Sequence, residues 1–128
     1  MEQKLNSIAP AFLVEDVVRA AQYYRDKLGF EISPYFGDPP TFAIVRRGDA
    51  RIALRCAGAN RGGSNRRYLS DAIDAYVWVD GLDALYREFK EKGAEILLAP
   101  VLRSYGIREI EVRDADGYVI CLGEFVKG

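Results

Sequence analysis

The sequence predicts an α+β fold made of two successive βαβββ modules, and three observations lead there. A strand-like apolar run, a segment of helical period and three further strand-like runs occur in that order twice. The two copies align at a constant spacing of 65 residues, which sets Val14 against Val79, Val17 against Leu82, Ala21 against Tyr86 and Tyr24 against Phe89. Between the copies lies AGANRGGSNRRYLS (57–70), rich in Gly, Asn, Ser and Arg and without apolar period. At 128 residues, 49% of them hydrophobic, the chain has material for one ordinary core. It is therefore expected to form a single domain over 1–128, with module one at about 7–56, a linker at about 57–72 and module two at about 73–126.

Residues 7–14 form the first β-compatible run. Asp16 then stands where a helix N-cap belongs, ahead of Val17, Ala20, Ala21, Tyr24 and Leu28 at helical spacing, and Gly29 marks the stop. Strands are expected at 30–33, 41–47 and 51–56, the last two joined through a Gly48-Asp49 turn. After the linker, 73–79 reads as a strand and 81–92 as a helix with Leu82, Leu85, Tyr86 and Phe89 on one side, closed by Gly93. Three strands near 95–98, 107–113 and 118–125 complete the second copy. The Gly29-x-Glu31-Ile32 and Gly93-x-Glu95-Ile96 segments match after a one-residue slip.

Composition removes several function classes. Charged residues nearly cancel, leaving a net charge of −1, so no overall field draws the protein to nucleic acid or to an acidic membrane. No phosphate-cradling glycine loop or nucleophile elbow is present. No run of about 18 apolar residues occurs and the start, MEQKLNSIAP, lacks the apolar core of a signal peptide, so a cytoplasmic protein is expected. Cys56 and Cys121 sit in apolar runs without metal-ligand spacing and read as buried reduced thiols. Histidine is absent altogether, which removes the commonest general base near neutral pH and the commonest transition-metal ligand. Any chemistry falls to Asp, Glu, Tyr, Lys or Cys.

Three segments carry a family resemblance. IAPAFLVEDV (8–17) followed by AAQYYRDKLGF (20–30) resembles the Pro-containing first strand and the FYR-x-x-LGF helix end of the vicinal oxygen chelate superfamily. VWVDGLDALY (77–86) resembles the start of its second module, and YGIREIEVRDADG (105–117) resembles the WG-x-REF-x-x-x-DPDG signature of its bleomycin-resistance-like branch. The resemblance implies paired βαβββ modules curved into an incomplete barrel around a ligand cleft, usually completed by a second chain, so a homodimer is expected. It does not fix activity, because members range from glyoxalases and dioxygenases to drug-binding proteins.

Metal-dependent members place ligands on the first and last strands of each module. By motif these positions fall at Ala9, Ala53, Asp74 and Cys121. Two alanines cannot ligate, and an Asp with a distant Cys makes a poor divalent site, so no metal and no other cofactor is expected.

Strand alternation assigns faces. With Ile52, Leu54 and Cys56 toward the core, Arg51, Ala53 and Arg55 turn to the cleft. With Ile73, Ala75, Val77 and Val79 on the apolar face, Asp74, Tyr76 and Trp78 share the other, and Glu109 and Glu111 join them by alternating with Ile110 and Val112. Phe36 and Tyr105 are loop aromatics expected to rim the opening. The candidate ligand-binding set is thus Arg55, Asp74, Tyr76, Trp78, Glu109 and Glu111 with Phe36 and Tyr105, suited to a small planar or cationic ligand. Each has a plainer reading: a dimer interface for Tyr76 and Trp78, a solvated strand face paired with Arg51 or Arg46 for the two glutamates, and a turn cap for Asp74. Arg61, Arg66 and Arg67 read as solvated linker residues, and the Asp114-Ala-Asp116-Gly117 stretch as a hairpin turn. The expected function is metal-independent binding and sequestering of a small molecule, an antibiotic or a metabolite, with no catalytic residue assigned. The alternatives are a small-molecule enzyme of the same superfamily (lyase, isomerase or dioxygenase-like) using Glu109, Asp74 or Cys121, and an assembly domain with a filled cleft.

Overall fold

A local cap starts the first helix and a long-range partner starts the second. In the computed structural model, which describes residues 1–60 and 62–126, Asp16 accepts hydrogen bonds from the backbone N–H groups of Val18 (3.0 Å) and Arg19 (3.2 Å) and so starts α1 (Val17–Leu28). Gly29 ends it in the left-handed region, φ 74°. The second helix, α2 (Leu82–Glu91), begins at Gly81, which has no side chain to cap with. Glu124 supplies the missing acceptor from another strand, taking the N–H groups of Gly81 (2.7 Å) and Leu82 (3.2 Å).

Eight strands accompany the helices: β1 (Ala11–Val14), β2 (Glu31–Ile32), β3 (Phe42–Arg47), β4 (Ala50–Cys56), β5 (Ala75–Trp78), β6 (Glu95–Leu102), β7 (Ile107–Arg113) and β8 (Val119–Phe125). They form two four-stranded sheets, β1-β4-β3-β2 and β5-β8-β7-β6. In each sheet the first strand pairs in parallel with the last of its module and the other pairs are antiparallel. Identical strand order in the two halves is the α+β duplication read from the sequence, in the expected order of elements.

Three strands differ from expectation by more than one residue at an end. Residues 7–10 stand outside β1, because Pro10 has no N–H to give a ladder, although its carbonyl still accepts from Ala53 N (2.9 Å). The fifth strand is shorter than 73–79. β6 runs on to Leu102 through register shifts around Leu98, and its Pro100 is tolerated because β6 is an edge strand.

Helix faces and inner sheet faces from both halves feed one apolar cluster, with Val14, Tyr24, Val45, Leu54, Phe89 and Ile110 among its fully buried members. Polar bonds tie the halves at its rim. Tyr118 Oη donates to Leu13 O (2.6 Å) beneath a Phe12–Tyr118 ring stack at 4.1 Å, and Arg47 binds Glu88 with both terminal nitrogens (2.7 and 3.0 Å). With the inner faces used in this way, the opposite face of each sheet is left for function.

Candidate ligand-binding site

The outer face of the second sheet is where alternation matters most. Tyr76 and Trp78 project from β5 on the side opposite Ala75, Val77 and Val79, which pack on the core. Trp78 stacks on Phe125 of β8 (4.6 Å between ring centroids, 3° between planes) and leans on Tyr76 at 4.8 Å. The rings form a platform, and it is open: Trp78 is 56% exposed and Phe125 64%. Tyr76 lies flat because Gly123 beneath it has no side chain; a Cβ there would come within 2.6 Å of Tyr76 Cζ.

Beside the platform, Glu109 is the centre of a closed polar network. Its Oε2 accepts from Tyr76 Oη (2.7 Å) and Tyr105 Oη (2.8 Å), and its Oε1 from Arg103 Nε (3.0 Å). Burial alone would raise this carboxyl, but the three donors outweigh it and hold it below the usual range. The same burial, together with the Glu109 bond, drives the Tyr76 phenol upward. Glu111 accepts from Arg66 Nη2 (2.9 Å) and lies 3.8 Å from Arg103 Nη2. Both acids are buried, 3% and 9% exposed, so they are neither a solvated face nor partners of Arg51 or Arg46. Those two arginines bind Ser7 and Glu31 instead.

The linker contributes to this network. Asp74 accepts from Asn65 N (2.7 Å), Ser64 Oγ (2.6 Å) and Val119 N (2.8 Å), which pins a single 3-10 turn (Asn65–Arg67) against the sheet. Arg66 then donates to Ala72 O (3.0 Å) and reaches Glu111. Arg66 is therefore a half-buried part of the site and not a solvated linker residue, while exposed Arg67 lies over the Tyr68 ring. Arg61 lies outside the described residues. Asp74 thus anchors this turn, which precedes it in the chain, and the start of β8.

A cavity of about 890 Å3 runs along the free edge of β5, between that strand and residues 8–10 and 47–52. Its walls are core-side residues, Val77, Val112 and Leu122 of the second sheet with Phe30, Leu85 and Phe89, and Asp74, Tyr76 and Trp78 border it only along the β5 edge, since their side chains turn to the opposite face. Glu109, Glu111 and Tyr105 do not line it; they reach it only through Tyr76. Arg55 and Phe36 belong to the first sheet: Arg55 donates to Thr41 O (3.3 Å) and exposed Phe36 bridges Phe42. Both therefore stand on the first sheet, and the eight candidates divide between two sheets.

The donor set does not suit a divalent cation. Ala9 and Ala53 offer methyl groups, both Asp74 oxygens already accept protein donors, and the Cys121 thiol is pushed up to about 12 by burial and by Glu109 and Glu111. Among the described residues, no three Asp, Glu or Cys side chains are grouped to hold a metal ion. The same facts bear on covalent and acid–base chemistry. Cys121 is a poor nucleophile near neutral pH, and Glu109, stabilised as the anion, is a weak base.

A sequence profile described as the Glyoxalase/Bleomycin resistance protein/Dioxygenase superfamily matches residues 4–122. The chain belongs to this superfamily. No curated protein matches it. Among solved structures, TioX from Micromonospora sp. ML1 superposes with a TM-score of 0.74 at 19% identity, over 94% of this chain and 100% of that one. A glyoxalase-related enzyme from Clostridium phytofermentans gives 0.77 at 15% identity, over 97% and 98%. A glyoxalase/bleomycin resistance protein from Catenulispora acidiphila gives 0.69 at 22% identity, over 94% and 98%. At these identities the likeness is one of fold. Among the described residues no helix is long and apolar enough to cross a membrane.

Sequence reasoning missed Arg66, Arg103 and Phe125. Phe125 was within reach, since it alternates with Cys121 and Gly123 along one strand; the two arginines come from a linker and a turn, where no period applies.

Proposed function

We propose that this protein binds a planar small molecule, an antibiotic or a metabolite, against the Tyr76–Trp78–Phe125 platform and holds it without making or breaking a bond. One observation carries the reading: a half-exposed tryptophan, backed by a parallel ring at 4.6 Å, forms an open aromatic platform at the edge of the second sheet. Sequestering is favoured over turnover because the residues nearest the platform are unsuited to attack or proton abstraction, and because the family's ligand positions have lost their donors. A homodimer, with a partner chain closing the open side of the platform, and a cytoplasmic location belong to the same proposal.

Trp78 is the only tryptophan, so its fluorescence reports the site directly. Titration of chelator-treated protein with planar aromatic compounds is expected to quench it saturably, with calorimetry giving a one-to-one stoichiometry per chain. Trp78→Leu is expected to weaken binding about 10- to 100-fold by calorimetry, as loss of an aromatic anchor does. Absence of any saturable response across the compounds, or equal affinity in Trp78→Leu, overturns the reading.

A further inference from the structure

The platform's chemistry sets the ring; its neighbours set the charge. Resting on the binding reading above, we infer that Arg103 and Arg66 fix the ligand's charge class, so that the bound planar molecule is uncharged or acidic and not cationic. Two buried carboxylates beside an aromatic platform would ordinarily select a cation, which is how the sequence reads when taken alone. In the structure that attraction is already satisfied. Glu109 faces Arg103 at 3.0 Å and Glu111 faces Arg66 at 2.9 Å, two acids against two guanidinium groups, and the remaining Glu109 oxygen is taken by two phenols.

Neither cation is free to leave. Arg103 stands in a tight turn closed by Arg103 N to Ile107 O (2.9 Å) and Gly106 N to Arg103 O (3.0 Å), which fixes its backbone at the start of β7. Arg66 is held by Ala72 O and by the Ser64–Asp74 anchor of its own turn. A cationic ligand approaching Tyr76 therefore finds both carboxylates already paired within a neutral network, and would have to displace Arg103 from a buried carboxylate to find a partner. An uncharged ring meets no such barrier, and an acidic one faces the outer edge of Arg103, whose side chain is 37% exposed. The cavity on the core side of β5 carries a different balance, with Arg47 paired to Glu88 but Asp49, Asp74 and Asp80 outnumbering Arg51, so the inference concerns the platform face, where Arg103 and Arg66 stand.

The test uses one ring system in three charge states: naphthalenemethanol, naphthoate and naphthylmethylammonium, titrated into the full chain by Trp78 quenching and by calorimetry. Wild-type protein is expected to bind the alcohol and the naphthoate, and the ammonium at least about tenfold more weakly. In Arg103→Met the ammonium is expected to gain about tenfold relative to the alcohol, and the double variant Arg103→Met/Glu109→Gln, neutral again, to return the ratio to that of wild type. The double variant also guards against the single one failing to fold. Ammonium binding as tight as that of the alcohol in wild-type protein, or a ratio indifferent to Arg103→Met, overturns the inference while leaving the binding site standing. Binding of none of the three by wild-type protein takes down both.

Discussion

Asp114 is the group whose substitution tests the packing of the two modules most directly. It is 6% exposed and stands between α1 and the β7–β8 turn, where Oδ2 accepts from Tyr24 Oη at 2.5 Å and Oδ1 from the N–H groups of Asp116 and Tyr118, both at 2.9 Å. Burial raises its carboxyl to about 6, and the three donors recover only part of that shift. Against an ordinary value of 3.8, the difference is about 2 units, or about 3 kcal/mol at 1.4 kcal/mol per unit. The sign follows from which state holds the proton more tightly. The folded chain does, so this contribution to stability is fully present below about pH 4 and is lost as pH rises through about 6. Asp114→Asn cannot ionise and keeps an oxygen for the two backbone donors. Urea unfolding followed by circular dichroism between pH 4 and pH 8 is expected to show wild type losing about 3 kcal/mol relative to the variant across that window. A difference independent of pH, or wild type gaining on the variant as pH rises, would refute the reasoning and make Asp114 an anion stabilised by its donors.

Two further outcomes follow from the site. Gly123→Ala places a methyl group against the Tyr76 ring, and the tyrosine must leave Glu109 to admit it. The variant is expected to lose about 1 to 3 kcal/mol of stability in urea melts and to alter the Trp78 emission maximum, whereas an unchanged spectrum and midpoint would mean the ring is not held there. Cys121, with its thiol near 12, has on the order of one thiolate in ten thousand at pH 8, so native protein should react with an aromatic disulfide reagent at Cys56 at most, and at both cysteines once unfolded. Fast reaction of Cys121 in the folded chain would reopen the nucleophilic reading.

Periodic features were legible in the sequence because a single local rule decides them. The buried face of α1, with Val17, Ala20, Ala21, Tyr24 and Leu28, is the face its spacing picks out, and alternation along β4, β5 and β7 assigns the correct residues to each side. Features that depend on one long-range partner were not. Nothing local to Glu109 says that Arg103 will turn back onto it, and nothing in the polar composition of 57–70 says that Asp74 will anchor the linker and bring Arg66 to Glu111. The two glutamates stand on the face that alternation assigns them, but each is paired with an arginine that the sequence does not place there, and the proposed charge class of the ligand rests on that pairing. Gly123 was a sign available in advance: a glycine inside an otherwise apolar strand usually marks the close approach of something else, here a tyrosine ring.

The duplication also indicates where function was added. At the 65-residue spacing, Tyr76 corresponds to Ala11 and Trp78 to Leu13, so the first module carries small and aliphatic groups where the second carries rings. Strand pairing bears out the equivalence, since Ala11 lies opposite Ala53 as Tyr76 lies opposite Cys121. Positions that agree between the copies, such as Val14 with Val79 and Tyr24 with Phe89, are core or packed against it, and their likeness is explained by packing alone. Positions that differ on the outer faces are free of that constraint. The contrast between Ala11-x-Leu13 and Tyr76-x-Trp78 is not explained by packing within the chain, and it supports assigning the proposed binding site to the second sheet.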